Sequence, residues 1–340
     1  MITLAGLKLN EIESLVKELN ATSFRAKQIH NWIYSKSVST IDEMTNLSKD
    51  FREQLKQIAT VTDTKIKVKQ VSSDGTIKYL IEYPDGECVE TVLMRFDNRA
   101  NLTACVSSQV GCAVNCSFCA TGKRGFIRNL TSREIIEQVL TIQRDTGLKV
   151  TNVVFMGQGE PLLNLKNVLD ALEIFNDDFQ IGARRITIST SGIVPKINEL
   201  ADCQLQSTLA ISLHAPNHNL RAELMPIENK YPLNELKGAL LNYVNKTGRR
   251  ITVEYILIRG FNDTPEVAKE LAYLLKDLKC NINLIPYNNV NDTKYKKSSS
   301  NDIMKFKYLL EHSGKKVTVR LERGADIDAA CGQLKGKVNE

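Results

Sequence analysis

The 340-residue chain is poor in the features that build disulfide scaffolds and membrane spans. Its eight cysteines are too sparse for a disulfide framework. No apolar run approaches the roughly 18 residues of a transmembrane helix. The amino terminus, with Glu11 and Glu13 close behind Met1, lacks a secretory signal. We therefore expect a cytoplasmic protein with no membrane association.

A strong excess of charge of either sign is also missing. Forty-five Lys and Arg against 39 Asp and Glu leave a formal net charge of +6. This balance permits a polyanionic partner without requiring one. Lys65, Lys67 and Lys69 alternate along one face of a predicted strand. Such spacing fits either a phosphate-binding track or a solvated strand edge.

Three cysteines stand close together without a fourth. Cys112, Cys116 and Cys119 follow the pattern Cys-x-x-x-Cys-x-x-Cys. Three thiolates can hold three irons of a 4Fe-4S cluster and leave the fourth iron open. The molecule most often bound there is S-adenosylmethionine (SAM), whose reductive cleavage gives a 5'-deoxyadenosyl radical. The alternative is structural zinc, which needs a fourth ligand, but no second Cys or His pair has suitable spacing.

Hydrophobic periodicity divides the chain into three regions. Residues 1–60 carry helical apolar stripes, such as Ile12, Leu15 and Val16, and predict a small helical domain. Residues 61–97 switch to a period of two, with Asp-Gly turns, and predict an antiparallel β extension. Residues 98–340 alternate strand and helix patterns. This alternation predicts an α/β fold, and a partial (βα)6 barrel more than a flat doubly wound sheet.

Loops after the predicted barrel strands carry the candidate chemistry, because active sites in such barrels lie at the carboxyl ends of the strands. The cysteine loop and the Gly-Gln-Gly-Glu-Pro segment at 157–161 both fall there. An Asn-, Ser- and Lys-rich stretch at 288–302 predicts a mobile basic loop at the barrel mouth. The predicted strands are 103–108, 150–156, 185–190, 207–213, 251–258, 281–286 and 316–321.

Several longer segments resemble one known family. Phe118 immediately before the last cysteine of the triplet is typical of the radical-SAM superfamily. Residues 105–112 read Cys-Val-Ser-Ser-Gln-Val-Gly-Cys, and residues 326–334 read Asp-Ile-Asp-Ala-Ala-Cys-Gly-Gln-Leu. Together with 125–131, 156–164, 189–192 and 212–216, these segments resemble the RlmN/Cfr family of radical-SAM RNA methyltransferases. The similarity runs from residue 24 almost to the carboxyl terminus.

The resemblance implies a reaction, its substrates and its carriers. RlmN-type members methylate C2 of adenine 2503 in 23S rRNA and C2 of adenine 37 in a subset of tRNAs, and use two SAM molecules per turnover. The cysteine corresponding to Cys331 is methylated first and then carries a carbon radical to the RNA. Cys105 matches the cysteine that resolves the adduct through a disulfide, and Glu90 matches the carboxylate that removes the C2 proton.

The resemblance also implies a ligand set and partners. Cys112, Cys116 and Cys119 correspond to the iron ligands. A flavodoxin or ferredoxin would supply electrons, and we expect a monomer. Gln158 and Ala325 depart from the family, whose members usually have Met and an acid there. The residues corresponding to SAM contacts are Gly159, Glu160, Ser189, Ser212, Leu213, His214 and Asn288.

Two alternative functions remain open. Cfr-type members share the same catalytic residues but methylate C8 of the same rRNA adenine. Their loop tends to lose the Pro-Leu-Leu run, which is retained here at 161–163, so C2 is favoured. An RNA-binding module with a structural metal is the alternative from another class. This alternative predicts a colourless zinc protein, whereas a radical-SAM enzyme with its iron-sulfur cluster is expected to be brown and oxygen-sensitive.

Overall fold

The computed structural model describes residues 1–96, 99–290 and 294–336. Three sequence predictions touch positions outside these residues. They are the domain boundary between 97 and 98, part of the predicted basic loop at 291–293, and the end of the barrel domain at 337–340. Within the described residues, no helix combines the length and apolar character needed to cross a bilayer.

The amino-terminal residues form three helices closed by a short parallel strand pair. Ile12, Leu15 and Val16 are buried along one face of the first helix, as their helical spacing predicts. The third helix is capped by Ser48, whose hydroxyl accepts a hydrogen bond from the amide of Phe51. These elements are β1 (Ile2–Thr3), α1 (Leu9–Glu18), α2 (Ser23–Tyr34), α3 (Lys49–Ile58) and β2 (Ala59–Thr60).

One ten-stranded sheet contains both the antiparallel extension and the barrel strands, in the order β14-β13-β12-β11-β10-β9-β6-β5-β4-β3. Pairing is antiparallel from β3 to β6 and parallel from β6 through β14. The predicted α/β barrel is therefore confirmed. The strands of this sheet are β3 (Lys65–Val71), β4 (Ile77–Glu82), β5 (Cys88–Phe96), β6 (Arg99–Cys105), β9 (Asn152–Phe155), β10 (Ile186–Thr190), β11 (Thr208–Ser212), β12 (Ile251–Leu257), β13 (Cys280–Pro286) and β14 (Lys316–Val319). A separate antiparallel pair is formed by β7 (Gln109–Gly111) and β8 (Phe126–Asn129).

Helices cover the parallel strands and bury their apolar faces against them. Thr131 and Glu134 form a capping box at the start of one of these helices: the Thr131 hydroxyl accepts the Glu134 amide, and the Glu134 carboxylate accepts the Thr131 amide. The helices are α4 (Ala120–Arg124), α5 (Ser132–Thr146), α6 (Leu165–Asp177), α7 (Val194–Asp202), α8 (His218–Leu224), α9 (Leu233–Thr247), α10 (Pro265–Leu274) and α11 (Ser300–His312).

Within the predicted mobile loop at 288–302, the part that the structure describes is more ordered than its composition suggests. Residues from 300 onward already belong to α11. Tyr295 is buried, and its hydroxyl lies 2.8 Å from the Ser117 hydroxyl in the cysteine loop. The described part of this segment therefore packs against the cysteine loop, because the aromatic ring of Tyr295 lies in an apolar cluster that includes Phe118.

Candidate active site

Two adjoining cavities open at the carboxyl edge of the parallel strands. The smaller, of about 160 Å³, is lined by the cysteine loop and by the ends of β9 to β12. The larger, of about 640 Å³, lies among β5, β6, β9 and the residues that follow β13 and β14. The two cavities are therefore compartments of one site. Their shared wall consists of Met156, Ile285, Arg320, Cys331 and Leu334.

The three predicted iron ligands line the smaller cavity. Cys112 directly follows β7, where its amide donates to the Gly125 carbonyl at 2.9 Å, and Cys119 directly precedes α4. Burial raises the pKa of the Cys112 thiol to about 12 and raises the pKa of Cys116 well above its usual value. Both thiols therefore become thiolates at neutral pH only when a bound cation offsets the loss of hydration.

Glu160 joins three loops at the strand ends. Its carboxylate accepts the Ser191 amide at 2.7 Å and the Leu162 amide at 3.0 Å. Its own amide donates to Oε1 of Gln109 at 2.8 Å. Burial raises the pKa of this carboxyl group in spite of the hydrogen bonds from Ser191. A buried carboxylate in the cavity wall favours a cationic group, such as an ammonium, in the cavity.

Gly159 is required by close packing inside the protein. Its φ of +97° lies in the region that favours glycine, and a β-carbon there would lie 2.5 Å from Cβ of Gln109. Gln109 in turn accepts the Glu160 amide, so any side chain at 159 would push the Glu160 loop away from β7. The glycine thus fixes the position of the carboxylate next to it.

Three more predicted SAM contacts line the smaller cavity, whereas neighbouring Leu213 does not. Ser189 lies in β10, Ser212 ends β11, and His214 follows two residues later. Nδ1 of His214 accepts the Ile256 amide at 3.1 Å. Burial, and then the charge of Arg221, lower the pKa of His214 to about 3, so this imidazole is neutral at pH 7. Leu213 is buried but is not part of the described cavity wall.

A buried arginine that the sequence reasoning missed ties two of these loops together. Nε of Arg221 donates to the Leu213 carbonyl at 3.2 Å, and Nη2 donates to the Ser191 carbonyl at 2.6 Å. Nη1 donates to the Glu228 carboxylate at 2.7 Å, and both side chains are fully buried. The pair therefore holds the loops after β10 and β11 in a fixed relation. Nothing in the spacing of the sequence distinguishes this arginine from those on the surface.

Cys331 lies where the two cavities meet. Nδ2 of Asn288 donates to the Cys331 carbonyl at 3.1 Å, and Nε2 of Gln333 donates to the Asn289 carbonyl at 2.9 Å. Among the described lining residues, Asn288 belongs to the larger cavity and not to the smaller one. Asn288 therefore lies apart from the other predicted SAM contacts, and its amide holds the backbone of Cys331.

Cys105 ends β6 and lines the larger cavity. It packs in one apolar cluster with Val92 and with Leu334 of the carboxyl-terminal segment. Burial, and then neighbouring Cys331, raise the pKa of the Cys105 thiol to about 12, while Arg320 opposes this rise. All eight cysteines are free thiols, and the Cys105–Cys331 disulfide implied by the resemblance, which would form only as RNA is released, stays a prediction.

The raised pKa predicts how Cys105 reacts with iodoacetamide. The thiolate is the reactive form, so a thiol with a pKa of about 12 is almost wholly protonated at pH 8. We expect the alkylation rate of Cys105 to be far below that of exposed Cys203 at pH 8 and to rise about tenfold per pH unit up to pH 10. Peptide mass spectrometry after timed labelling measures both rates. Equal rates for the two thiols at pH 8 would contradict the prediction.

Glu90 is not part of the described wall of either cavity. It lies in β5, where Oε1 is 2.9 Å from Nζ of Lys78. Its Oε2 accepts hydrogen bonds from the amides of Lys335 and Gly336, the latter at 2.8 Å. The predicted base is therefore joined to the carboxyl-terminal segment that carries Cys331 and lies outside the described walls of both cavities.

The lysine ladder on β3 carries less free charge than the sequence suggests. Nζ of Lys67 is 2.8 Å from the Glu82 carboxylate, and Nζ of Lys69 is 2.6 Å from the Asp145 carboxylate. Because these two ammonium groups are already paired, the ladder attracts phosphate less strongly than three free lysines would.

Comparison with known proteins identifies the family. A model described as the radical SAM superfamily matches residues 106–272, and one described as "Ribosomal RNA large subunit methyltransferase N-terminal domain" matches residues 2–61. A relative from Alkaliphilus oremlandii, named "Probable dual-specificity RNA methyltransferase RlmN", is 50% identical over 339 residues, which are 99% of this chain and 98% of the relative. The chain belongs to the RlmN family. A Staphylococcus aureus (strain JH9) RlmN relative of the same name is 49% identical, over 98% of this chain and 92% of the relative.

Solved structures agree with RlmN-family membership. A radical SAM methyltransferase from Sphaerobacter thermophilus superimposes with a TM-score of 0.94 and 43% identity, over 99% of this chain and 100% of that one. Streptococcus suis SuiB bound to S-adenosylmethionine matches with a TM-score of 0.50 and 19% identity, over 66% of this chain and 51% of that one. The likeness to SuiB is one of fold alone.

The cofactors of a radical SAM RlmN protein are a 4Fe-4S cluster and SAM, and the residues that line the smaller cavity have the donor groups that both require. Its wall combines three thiols with a buried carboxylate and with the serine hydroxyl groups of residues 189 and 212. Among the described residues, no three His, Cys, Asp or Glu side chains are close enough to bind a single metal ion. Thiols at separate positions on one wall suit a cube, in which each thiolate binds a different iron.

Proposed function

We propose that this chain methylates C2 of one adenine in 23S rRNA and C2 of one adenine in a subset of tRNAs. One observation carries the proposal: Cys331 borders both cavities, so a single thiol can meet SAM on one side and a nucleobase on the other. C2 of adenine is an electrophilic carbon bearing only hydrogen, so it cannot attack a methyl sulfonium directly. A thiol that first takes up the methyl group and then presents it as a carbon radical avoids this barrier.

Cys331 is the proposed methyl carrier. Its thiolate takes the methyl group of one SAM, forming a C–S bond as the sulfonium C–S bond breaks and S-adenosylhomocysteine leaves. When bound, the cluster and a second SAM supply a 5'-deoxyadenosyl radical, which can remove hydrogen from the S-methyl group. The methylene carbon held by Cys331 then bonds to C2 and joins the RNA to the protein.

Cys105 and Glu90 are the proposed releasing groups. The radical adduct must give up one electron, which the oxidised cluster would accept when bound, and Glu90 then accepts the C2 proton. Cys105 then attacks the sulfur of Cys331, and the S–C bond breaks with its electron pair left on the former methylene carbon, which takes a proton to become the methyl group. The methylated RNA leaves and the two cysteines remain joined by a disulfide, which a two-electron reductant must reduce before the next turnover. Cys105 and Cys331 both line the larger cavity, which supports the pairing of these two thiols.

The larger cavity is the proposed site for the target base. A volume of about 640 Å³ falls within the range of roughly 300–1,000 Å³ typical of ligand pockets. Cys105 is buried at its wall, so a stacked adenine must turn out of its RNA to come near. Turning a base out costs a few kcal/mol, which contacts elsewhere on the RNA must offset.

The proposed ligand roles follow the cavity walls. Cys112, Cys116 and Cys119 would bind iron, and Glu160 would meet the ammonium group of SAM. Leu213 would act through its own backbone carbonyl, and Asn288 would act through the Cys331 carbonyl to which its amide donates. We also propose that residues 1–60, 61–97 and 98–340 are the functional units of a monomeric enzyme. A flavodoxin or ferredoxin would donate the electrons. The enzyme would act in the cytoplasm, where such substrates and donors occur. Gly159, Ser189, Ser212 and His214 would complete the SAM site.

C2 is favoured over C8 by the loop after β9. Residues 161–163 keep the Pro-Leu-Leu run, which forms a short 3-10 helix with Leu162 buried. The amide of Leu162 donates to Glu160, so this run also supports the proposed SAM site.

An anaerobic assay tests the proposal. The reconstituted enzyme is incubated with SAM, a reductant and either rRNA fragments or tRNA pools, and nuclease digests are analysed by mass spectrometry. We expect 2-methyladenosine from both RNA classes. Formation of 8-methyladenosine would replace the proposal by the Cfr-type reaction, and no methylated adenosine from either class with an iron-loaded enzyme would overturn it.

A further inference from the structure

The segment that carries Cys331 is pinned along its length. We call residues 328–336 the strap. The Gly332 carbonyl accepts the Ala120 amide at 2.7 Å, and the Leu334 carbonyl accepts the Thr121 hydroxyl at 2.8 Å. Alternate strap residues are therefore tied to the helix that begins directly after Cys119. These bonds relate the methyl carrier to the cysteine loop, but they restrain only one face of the strap.

The far end of the strap is held by a buried ion pair. Oε2 of Glu90 receives the amide hydrogens of both Lys335 and Gly336, and Oε1 pairs with Nζ of Lys78. The same ammonium donates to the Asp328 carbonyl at 3.2 Å, at the start of the strap. Glu90 and Lys78 are both buried, at 4% and 8% exposure. Charge-assisted hydrogen bonds in such a site are among the stronger polar contacts in proteins.

We propose that Glu90, held in place by Lys78, is the anchor that positions Cys331 between the two cavities for its own methylation. The inference rests on the proposed function for its biological meaning and adds a second role for Glu90, earlier in the cycle than proton removal. Lys78 is then a positioning residue that acts through Glu90. A carboxylate whose oxygens are filled by strap amides and an ammonium is not free to accept a proton from a base in the larger cavity.

Because of this arrangement, Glu90 cannot serve as strap anchor and as proton acceptor at the same time. While the strap is anchored, Cys331 is in place to receive its methyl group and Glu90 cannot accept a proton from the substrate. Once the strap end departs, Glu90 is free to act on the adduct. A carrier thiol that is misplaced by about 1 Å can lose on the order of a hundredfold in rate, so the anchor belongs to the first half of the cycle.

The test compares anchor variants with a matched surface pair. Glu90→Gln and Lys78→Met each break the pair, and the double variant Lys78→Met with Glu90→Leu replaces it by apolar groups, which keeps the site buried without a lone charge. Lys67→Met is the control, because Lys67 forms an exposed pair with Glu82 on the same antiparallel strands. All are full-length proteins, and their unfolding midpoints are measured first.

Hydrogen exchange of the strap amides is the first readout, taken without RNA or SAM. We expect exchange at 335 and 336 to rise at least about tenfold in all three anchor variants and to stay unchanged in Lys67→Met. The second readout is the rate of Cys331 methylation by SAM, followed by peptide mass. We expect this rate at saturating SAM to fall at least about tenfold, with the half-saturating SAM concentration unchanged, since Glu90 does not line the SAM cavity.

Each outcome decides the inference separately from the function. Unchanged strap exchange in the double variant would overturn the anchor. Faster exchange with normal Cys331 methylation would overturn the positioning role and leave Glu90 as a base alone. Failure of the wild-type enzyme to methylate RNA would refute the proposed function, whereas the exchange measurement uses no RNA and keeps its meaning.

Discussion

Cys331→Ala is expected to abolish RNA methylation, and Cys105→Ala is expected to trap the RNA on the protein. Without the Cys331 sulfur there is no methyl carrier, so product formation falls by at least about a thousandfold and no adduct appears. Without Cys105 the methylene bridge still forms, but nothing displaces it from Cys331. Denaturing gels with labelled RNA, run beside nucleoside mass spectrometry, separate the two results.

Cys203→Ala is the matched control for this pair. Cys203 is exposed, follows α7, and lines neither cavity among the described residues. This variant should methylate RNA at the wild-type rate and form no lasting adduct. Normal methylation by both Cys331→Ala and Cys105→Ala would remove the thiol-carrier mechanism. A stable adduct in Cys331→Ala would show that another residue carries the methyl group.

The barrel could be predicted because its strands are short, apolar and separated by helical patterns. The strand predicted at 251–258 is observed as Ile251–Leu257, and the one predicted at 281–286 as Cys280–Pro286. What periodicity could not show is that β5 pairs with β6, which makes the antiparallel extension part of the barrel sheet. Pairing between segments with similar patterns depends on the whole chain, and no local signal specifies it.

The candidate site was predictable where its residues follow strand ends in sequence motifs. Glu160 and His214 could be assigned to one cavity on that basis. The contacts that orient these residues are different, because they join positions far apart in the chain. Lys78 pairs with Glu90 across two strands, but its second contact, with Asp328, spans 250 residues. A lysine in an alternating strand predicts a solvated face, and only the strap covering that face makes it buried.

The site therefore contains two sets of residues, one set by local sequence motifs and one brought together only by the tertiary structure. Loops at the strand ends supply the proposed ligands of the cluster and of SAM, and their motifs are local. The strap and the antiparallel extension supply Cys331, Glu90 and Lys78, and these meet only after the sheet has formed. The wall shared by the cavities belongs to both sets, because Met156 follows β9 and Cys331 lies on the strap.

Arg221→Met is expected to be the most destabilising single change near the SAM site. Removing the guanidinium leaves the fully buried Glu228 carboxylate with only the His218 imidazole, at 3.1 Å, and the Leu233 amide, at 3.0 Å, among the described residues. Breaking such a pair typically costs about 3–5 kcal/mol of unfolding free energy, against a total of about 5–15 kcal/mol for a typical domain. Urea unfolding at pH 7 measures the loss. The variant should also bind SAM more weakly, because the carbonyls of Ser191 and Leu213 lose a shared donor.

Two further variants separate charge burial from loop positioning. Arg221→Met combined with Glu228→Leu removes both charges and should recover most of the stability, while SAM affinity stays reduced because the loops after β10 and β11 remain untied. Lys166→Met breaks an exposed pair with Asp170 and should change the unfolding free energy by less than about 1 kcal/mol. If Arg221→Met unfolded at the wild-type urea midpoint, the buried Arg221–Glu228 pair would not contribute the expected unfolding free energy. If the double variant bound SAM as wild type does, the arginine would serve stability alone.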